Sequence, residues 1–306
     1  MGPPVQPVLA MDLPGIVPSL LVLLAEQAAA LGIAKVALVG GAVRDGLLHH
    51  VHRDPWRGCP DLDFVVEGDA VALAEALLLR VGSERMPRLQ THPAYGTAEL
   101  EIDGLVLDLA SARRESYPSP GANPLVMLGD LESDLDRRDF SINAMAMVLG
   151  ESSMEAGLID FHKGSQDLEL RELAFLHPGS VADDPTRVVR AARYAARLGF
   201  TLGSDGLAQV ARGVQEWPWT WRSGDPAKAA PPALSTRFRM ELELLFAKEP
   251  WSHALQFLED WGAFPLLDPQ LQNDPRRMLR LRRAARLGLP LLPALLLGAS
   301  APLEVA

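Results

Sequence analysis

The feature that most constrains the fold is a change in hydrophobic pattern near residue 139. Before that point, short apolar runs of strand length alternate with turn residues and helical segments. After it, apolar residues recur mostly at helical spacing, except in a short apolar piece at 158–160 and a Pro/Gly-rich stretch at 217–232. The pattern predicts an α+β fold, in which a head with a small mixed sheet and helices precedes an all-α neck and body.

The spacing also predicts individual elements and segments. In the head, we predict strands at 36–39, 62–66, 97–102 and 105–109, and helices at 20–31, 42–48 and 70–81. Three prolines and two glycines predict a mobile loop at 112–130. We divide the chain into an N-terminal arm and helix (residues 1–33), a head (34–150), a helical neck (151–230) and a helical body with a truncated tail (231–306).

Composition excludes several classes of protein. The chain of 306 residues has 48% hydrophobic and 22% charged residues, which is typical of a globular protein. Its single cysteine, Cys59, excludes an internal disulfide framework and a Cys-rich zinc site, and fits the reducing cytoplasm. The nearby His49, His50 and His52 match no standard zinc spacing. We predict no signal peptide and no membrane span.

The charge of the chain is uneven. Its net charge of −10 does not favour binding to nucleic acid, yet the segment 276–286 contains six arginines. A local basic segment can bind phosphates in an acidic protein. A solvated helix face explains the same pattern, and the sequence leaves both interpretations open.

Two carboxylates open the second predicted strand. Alternate residues of a strand share a face, so Asp61 and Asp63 point to the same side, with Cα atoms about 7 Å apart. Mg²⁺ binds few protein carboxylates and completes its coordination with substrate phosphates. The pair therefore suits a Mg²⁺ site, although two polar residues at a strand entrance would look the same.

A diglycine turn precedes these carboxylates. Gly40 and Gly41 join the strand at 36–39 to a helix, where backbone N–H groups and the helix N-terminus can approach a phosphate. Arg44 follows in the first turn and could reach a triphosphate oxygen. An ordinary strand–turn–helix joint is the alternative, but the carboxylate pair further along favours nucleotide binding.

Two later places in the head add candidate residues. Asp108, in the strand at 105–109, could join the metal site from a neighbouring strand. Arg138 and Asp139 form an arginine–carboxylate pair that could clamp a ribose or phosphate, or could simply begin a helix.

The last candidate cluster begins at Asp183. Asp184 before Pro185 predicts a helix start, with the Asp as N-cap and the Pro in the first position. Asp183, Asp184, Arg187 and Arg190 would cluster near one face of the first two turns, where they could read the hydrogen-bonding edge of a base. A surface ion-pair ladder is the alternative.

Four segments, GGAVRD with DLDFVV, RRDFSINAMA and DDPTRVVRAARYAARLGF, together resemble the class II tRNA nucleotidyltransferase and bacterial poly(A) polymerase family. This family belongs to the polymerase-β-like nucleotidyltransferases, and the resemblance runs from about residue 36 to about residue 269. The family motif usually has Glu where this chain has Asp183. Family members commonly continue into a longer body and tail, so the resemblance leaves two readings open, a naturally short protein or a fragment, and a reduced affinity for tRNA is expected with either.

The resemblance implies roles for the candidate residues. Asp61 and Asp63 would bind Mg²⁺, and Gly41 and Arg44 would contact the nucleoside triphosphate. Arg138 and Asp139 would lie at the ribose, and Asp184 and Arg187 would pair with the incoming base. The resemblance gives supporting roles at the base site to Arg190 and Arg193, and structural roles to Arg237 and Glu241.

The activity implied is template-independent addition of CMP or AMP, from CTP or ATP, to the 3′ end of tRNA. Two Mg²⁺ ions would support in-line attack with release of pyrophosphate. Three alternatives stay open: a poly(A) polymerase, an enzyme that adds only CC or only A, and a non-catalytic RNA-binding protein on the same scaffold. No obligate protein partner is evident from the sequence.

Overall fold

The structure is a computed structural model that describes residues 12–58, 61–119, 121–150, 157–216 and 233–299. Cys59 and the Pro/Gly-rich stretch 217–232 lie outside the described residues. The chain divides into two compact units, the first with residues 1–115 and 126–170 and the second with residues 116–125 and 171–306. The first unit extends beyond the predicted head at both ends. The division of the remainder into neck and body stays a prediction.

A seven-stranded mixed sheet forms the first unit. The strands are β1 (Val36–Val39), β2 (Leu62–Val66), β3 (Arg88–His92), β4 (Thr97–Ile102), β5 (Leu105–Ser111), β8 (Ala146–Val148) and β9 (Leu158–Ile159). They lie in the order β3-β4-β5-β2-β1-β8-β9. Only the β2–β5 pair is parallel, and the other five neighbouring pairs are antiparallel.

Helices border this sheet and bury its apolar residues. Helix α3 packs against β4 and β5, and α1 packs against α3. All four residues of β1 are buried, since the strand lies between two others inside the sheet. The helices of the first unit are α1 (Pro18–Ala30), α2 (Gly41–His50), α3 (Ala70–Arg85), α4 (Leu131–Asp136) and α5 (Gly164–Leu170).

The predicted mobile loop at 112–130 is wrong in part. It contains strands β6 (Arg113–Ser116) and β7 (Leu125–Leu128), which pair as a separate two-stranded sheet. Prolines and glycines of this segment lie mostly between the two strands, which explains why composition alone suggested a loop. All four side chains of β7 are exposed, although they are apolar.

From residue 171 onward, the described part of the second unit is helical apart from two short strands, β10 (Glu172–Leu173) and β11 (Thr201–Leu202), which pair in parallel. Its helices are α6 (Ser180–Asp183), α7 (Thr186–Leu198), α8 (Ser204–Glu216), α9 (Phe238–Lys248), α10 (Trp251–Asp260), α11 (Arg277–Arg286) and α12 (Leu291–Leu296). Helix α7 packs against α9 and α10. In the described residues, no helix has the length and apolar character needed to span a membrane.

Candidate active site

A row of carboxylates crosses one face of the sheet in the first unit. Asp63 of β2 lies opposite Asp108 of β5 in the parallel register, and Asp108 lies opposite Glu99 of β4 in the antiparallel register. Asp61 directly precedes β2 and is exposed. The strands therefore bring the predicted Asp63 and Asp108 together. Sequence reasoning missed Glu99, whose position follows from the alternation along β4 and the register of the β4–β5 hairpin.

The environment of Asp63 disfavours its negative charge. The pKa of Asp63 is raised to about 6, first by burial and also by the negative charges of Asp108 and Asp61, while the positive charge of Arg138 acts in the opposite direction. Burial also raises the pKa of Asp108, and so do the charges of Glu99 and Asp61. These carboxylates are thus close enough to repel one another, and a bound cation would relieve the repulsion.

The donor set fits Mg²⁺, which the resemblance implies. Asp63 is a half-buried carboxylate in a mostly acidic environment, and Mg²⁺ typically takes one or two protein carboxylates together with phosphate oxygens and water. Within the described part of the chain, no three or more His, Cys, Asp or Glu side chains converge closely enough to hold one ion. The two carboxylates that the sheet places directly opposite each other are Asp63 and Asp108.

The diglycine turn lies directly beside the carboxylates. Gly40 has φ 68° and ψ −131°, a conformation that strongly favours glycine. A Cβ atom at Gly40 would lie 3.2 Å from Nη1 of Arg138 and 3.7 Å from Oδ2 of Asp63. Gly40, Arg138 and Asp63 therefore meet at one point, where the bare glycine leaves room beside a cation and an anion.

A buried carboxylate holds Arg138 in this position. Asp134 of α4 is fully buried and accepts a hydrogen bond from Nη2 of Arg138 at 3.0 Å. The same carboxylate accepts from Nε and Nη2 of Arg137 at 2.9 and 2.8 Å. In the described structure, Nε of Arg138 is buried without a hydrogen-bond partner. Sequence reasoning missed Asp134, because its spacing from Arg138 on a short helix matched no site pattern.

Arg44 and Asp139 belong to a second buried network. Nε and Nη2 of Arg44 donate to Asp45 at 2.8 and 3.1 Å, and its Nη1 donates to Asn143 at 2.8 Å. Asn143 in turn donates to Asp139 at 3.1 Å, and the backbone N–H of Phe140 donates to the same oxygen at 2.9 Å. The structure thus connects the GGAVRD motif, which contains Arg44, to the RRDFSINAMA motif, which contains Asp139 and Asn143. Contact of Arg44 with a triphosphate stays a prediction.

In the second unit, Asp184 lies at the start of α7. Its Oδ1 accepts from the backbone N–H of Thr186 at 3.1 Å and from the Thr186 hydroxyl at 2.6 Å. Its Oδ2 accepts from Nη1 of Arg237 at 3.0 Å. Asp184 does bond to the first turn as predicted, but the helix begins at Thr186, one residue later than expected.

The arginines of α7 point into an ionic network. Arg190 and Arg193 both donate to Glu241, and Arg193 also donates to Glu249 at 3.3 Å. Arg187 is buried and donates to the backbone oxygen of Ser180 at 3.3 Å. The contacts of Glu241 agree with a structural role.

A break in the helical backbone at Asp184 separates Asp183 from the helix that carries Arg187. Asp183 is the last residue of α6, and Asp184 then adopts an extended conformation with φ −141° and ψ 95°. A residue before proline avoids the helical conformation, and this breaks the helix between Asp183 and Arg187. Asp183 instead lies 3.6 Å from Nε2 of His177.

The raised pKa of Asp63 predicts how stability depends on pH. Because the folded state holds the proton more tightly than the unfolded state does, stability should fall as the pH rises from about 4 to about 6 and stay reduced above that. Without divalent cations, Asp63→Asn should therefore be more stable than wild type at pH 7, by up to about 3 kcal/mol. The two proteins should have similar stability at pH 4. Urea denaturation at pH 4 and pH 7 measures the difference in free energy of unfolding between the two proteins. An equal difference at the two pH values would contradict a raised pKa of Asp63.

Comparison with known proteins identifies residues 36–174 as a poly A polymerase head domain. The chain is 42% identical over 234 residues to a CC-adding tRNA nucleotidyltransferase of Deinococcus radiodurans, which covers 76% of this chain and 55% of that protein. It is 46% identical over 165 residues to an A-adding tRNA nucleotidyltransferase of Aquifex aeolicus, which covers 54% of this chain and 19% of that protein. The chain thus spans about half the length, or less, of these curated relatives.

The fold agrees with this relationship. A solved structure of a CCA-adding enzyme without ligand superimposes with a TM-score of 0.74 at 28% identity, and the match covers 92% of this chain and 64% of that one. The predicted α+β fold, with a sheet-containing head before a helical remainder, is confirmed. In its fold and in its relatives the chain is similar to tRNA nucleotidyltransferases, and its residues 36–174 match the family of poly A polymerase head domains.

Proposed function

We propose that the protein transfers CMP or AMP from CTP or ATP to the 3′ end of tRNA. The observation that carries this proposal is the meeting of Asp63, Arg138 and Gly40, with Asp108 in register beside Asp63. Carboxylates that can hold a divalent cation and a fixed guanidinium both stabilise charge on a transferring phosphoryl group, and the bare glycine turn leaves room for it. The similarity to one CC-adding and one A-adding tRNA nucleotidyltransferase supports tRNA as the acceptor.

In the proposed reaction, the 3′-hydroxyl oxygen of the RNA forms a bond to the α-phosphorus of the nucleotide while the bond to pyrophosphate breaks. Asp61 and Asp63 would hold Mg²⁺, which when bound activates the attacking oxygen and neutralises charge on the leaving group. Arg138 would bind an anionic oxygen of the nucleotide beside Gly40. Asp184 and Arg187 would select the base, and a cytoplasmic location goes with this proposal.

The decisive experiment offers CTP and ATP separately, with Mg²⁺, to tRNAs that end before CCA, after C and after CC. An enzyme that builds the whole CCA end extends the first two with CTP and the third with ATP. An enzyme limited to CC uses CTP only, and one limited to A extends only the third tRNA. Long A tracts would identify a poly(A) polymerase, and binding of tRNA without any incorporation would identify a non-catalytic RNA-binding protein.

Helix α11 separates the arginines of segment 276–286 into two groups. Arg277 is buried, donates to the backbone oxygen of Leu271, and lies over the ring of Phe264 at 4.1 Å. Arg280 pairs with Asp274 at 2.5 Å and donates to the backbone oxygen of Ala294 at 3.1 Å. These two arginines stabilise the fold. The exposed arginines are Arg276, Arg282, Arg283 and Arg286.

We expect the exposed arginines to bind RNA phosphates. Replacing Arg282, Arg283 and Arg286 together with glutamine should raise the KM for tRNA and leave kcat unchanged. Each phosphate contact that is lost should lower the slope of log affinity against log salt concentration by about 0.7 to 0.9. Steady-state kinetics and binding at several salt concentrations measure both effects.

A matched control removes the same charge from three separate helices. Arg80, Arg212 and Lys248 are exposed residues of α3, α8 and α9. Their triple replacement with glutamine changes the net charge equally but leaves α11 intact. An equal rise of KM in both triple variants would show that net charge, rather than the face of α11, determines tRNA affinity.

A further inference from the structure

Arg237 connects the base-recognition carboxylate of the second unit to a distant part of the chain. It ends the helical turn Ala233–Arg237, just before α9. Its Nη1 donates to Oδ2 of Asp184 at 3.0 Å, and its Nη2 donates to the backbone oxygens of Gly121 and Ala122 at 2.8 and 3.1 Å. One planar guanidinium thus holds a carboxylate and two carbonyls simultaneously, as the forked geometry of arginine allows.

Gly121 is itself attached to the segment that carries Asp184. Its backbone N–H lies 3.2 Å from the oxygens of both Ala182 and Asp183, and its own oxygen accepts from the N–H of Ala233 at 3.2 Å. Gly121 has φ 69°, a conformation that favours glycine. The backbone between β6 and β7 is therefore bonded to the residues before Asp184 and also, through Arg237, to its side chain.

Both oxygens of Asp184 are thereby held from different sides. Thr186, in the first turn of α7, binds Oδ1, and Arg237 binds Oδ2. Each carboxylate oxygen keeps a further lone pair after one hydrogen bond, so Oδ2 can still accept from an amino group. Without Arg237, the backbone would still fix Asp184 near α7, but the carboxylate plane could rotate about its side-chain bonds.

We propose that Arg237 is a positioning residue for base selection, which acts by fixing the carboxylate plane of Asp184 against the backbone at 121–122. This inference rests on the proposed function. Cytosine and adenine present an exocyclic amino donor where uracil and guanine present a carbonyl oxygen. A carboxylate in a fixed plane accepts from the first two bases and repels the second two, whereas a rotating carboxylate discriminates less.

The test compares three variants: Arg237→Gln, which loses the charged fork, Arg237→Lys, which keeps the charge but has a single nitrogen, and Arg239→Gln. Arg239 is the matched control, since it lies two positions further along, is exposed and pairs with Glu243 at 2.9 Å. The readout is the ratio of kcat/KM for CTP over UTP and for ATP over GTP, on tRNA ends that the wild type extends.

Arg237→Gln should lower this discrimination by about tenfold, the scale of one hydrogen bond to a charged group. Arg237→Lys should recover part of it, and Arg239→Gln should match the wild type. A merely structural role would lower all four kcat/KM values together and leave the ratios unchanged. Thermal unfolding shows whether each variant is folded. If Arg237→Gln does not fold, the kcat/KM ratios of Arg237→Lys are compared with those of the wild type instead.

Unchanged ratios in a folded Arg237 variant would overturn this inference alone, because the wild type would still incorporate nucleotides. A wild-type protein that incorporates no nucleotide on any tRNA end would overturn the proposed function, and this inference with it. The two failures are therefore distinguishable.

Discussion

Replacing Asp63 with asparagine should reduce nucleotide incorporation by at least about a thousandfold, because loss of one metal-binding carboxylate removes several kcal/mol of transition-state stabilisation. The side chain keeps its size, so the sheet should stay folded. Single-turnover incorporation on the tRNA end that the wild type extends measures the loss. Asp61→Asn should show a similar loss, because Asp61 and Asp63 are proposed to hold Mg²⁺ together.

Asp103→Asn is the matched control for Asp63→Asn. Asp103 lies in the β4–β5 turn of the same sheet, where it pairs with Arg85 at 2.6 Å and has the positive φ that asparagine tolerates. It should keep wild-type activity. Mg²⁺ should also raise the melting temperature of wild type and of Asp103→Asn, but not that of Asp63→Asn. Wild-type incorporation by Asp63→Asn would overturn the metal assignment.

Replacing Asp134 with asparagine should destabilise the first unit by about 3 kcal/mol, the scale of breaking a buried ion pair. Asp134 is fully buried and accepts from both Arg137 and Arg138, so its loss leaves two half-buried guanidinium groups with less compensation. Native-state hydrogen exchange at the amides of β1 measures the free energy of opening for this unit.

A matched variant lies two positions further along α4. Asp136 is exposed and pairs with His162 at 2.8 Å, and Asp136→Asn should change stability by less than about 1 kcal/mol. Since Arg138 lies beside Asp63, Asp134→Asn should also lower incorporation. Equal stability of the two variants would contradict the importance of the buried carboxylate.

The head could be predicted from sequence where local pattern and tertiary environment agree. The run at 36–39 and the run at 62–66 are strands with the predicted bounds, since both are short, apolar and bounded by turn residues. Strand β3 was missed because it lies at the sheet edge and four of its five residues are polar, so it has no apolar run or apolar alternation. Strand β8 was missed because pairing with β1, distant in sequence, overrides a locally helical pattern.

The residues of the candidate site could be predicted one at a time, but their spatial arrangement could not. Spacing indicated Asp63, Gly40 and Arg138 one by one, since each lies in a short motif with a chemical rationale. Their meeting depends on strand register and on the position of α4, which no single stretch of sequence contains. Asp134 and Asn143 were missed for this reason, because their importance lies only in the arginines that they bind.

The strand order of the first unit has a consequence for synthesis on the ribosome. Strand β1 pairs on one side with β2 and on the other with β8, where Ala37 lies opposite Val148. The antiparallel strands β3, β4 and β5 are neighbours in sequence and can pair as soon as they emerge from the ribosome. The second edge of β1, by contrast, cannot pair until β8 has been synthesised at the end of the head. Until then its apolar edge is open to pairing with other chains. A ribosome-associated chaperone that covers residues 36–39 should therefore raise the yield of folded protein.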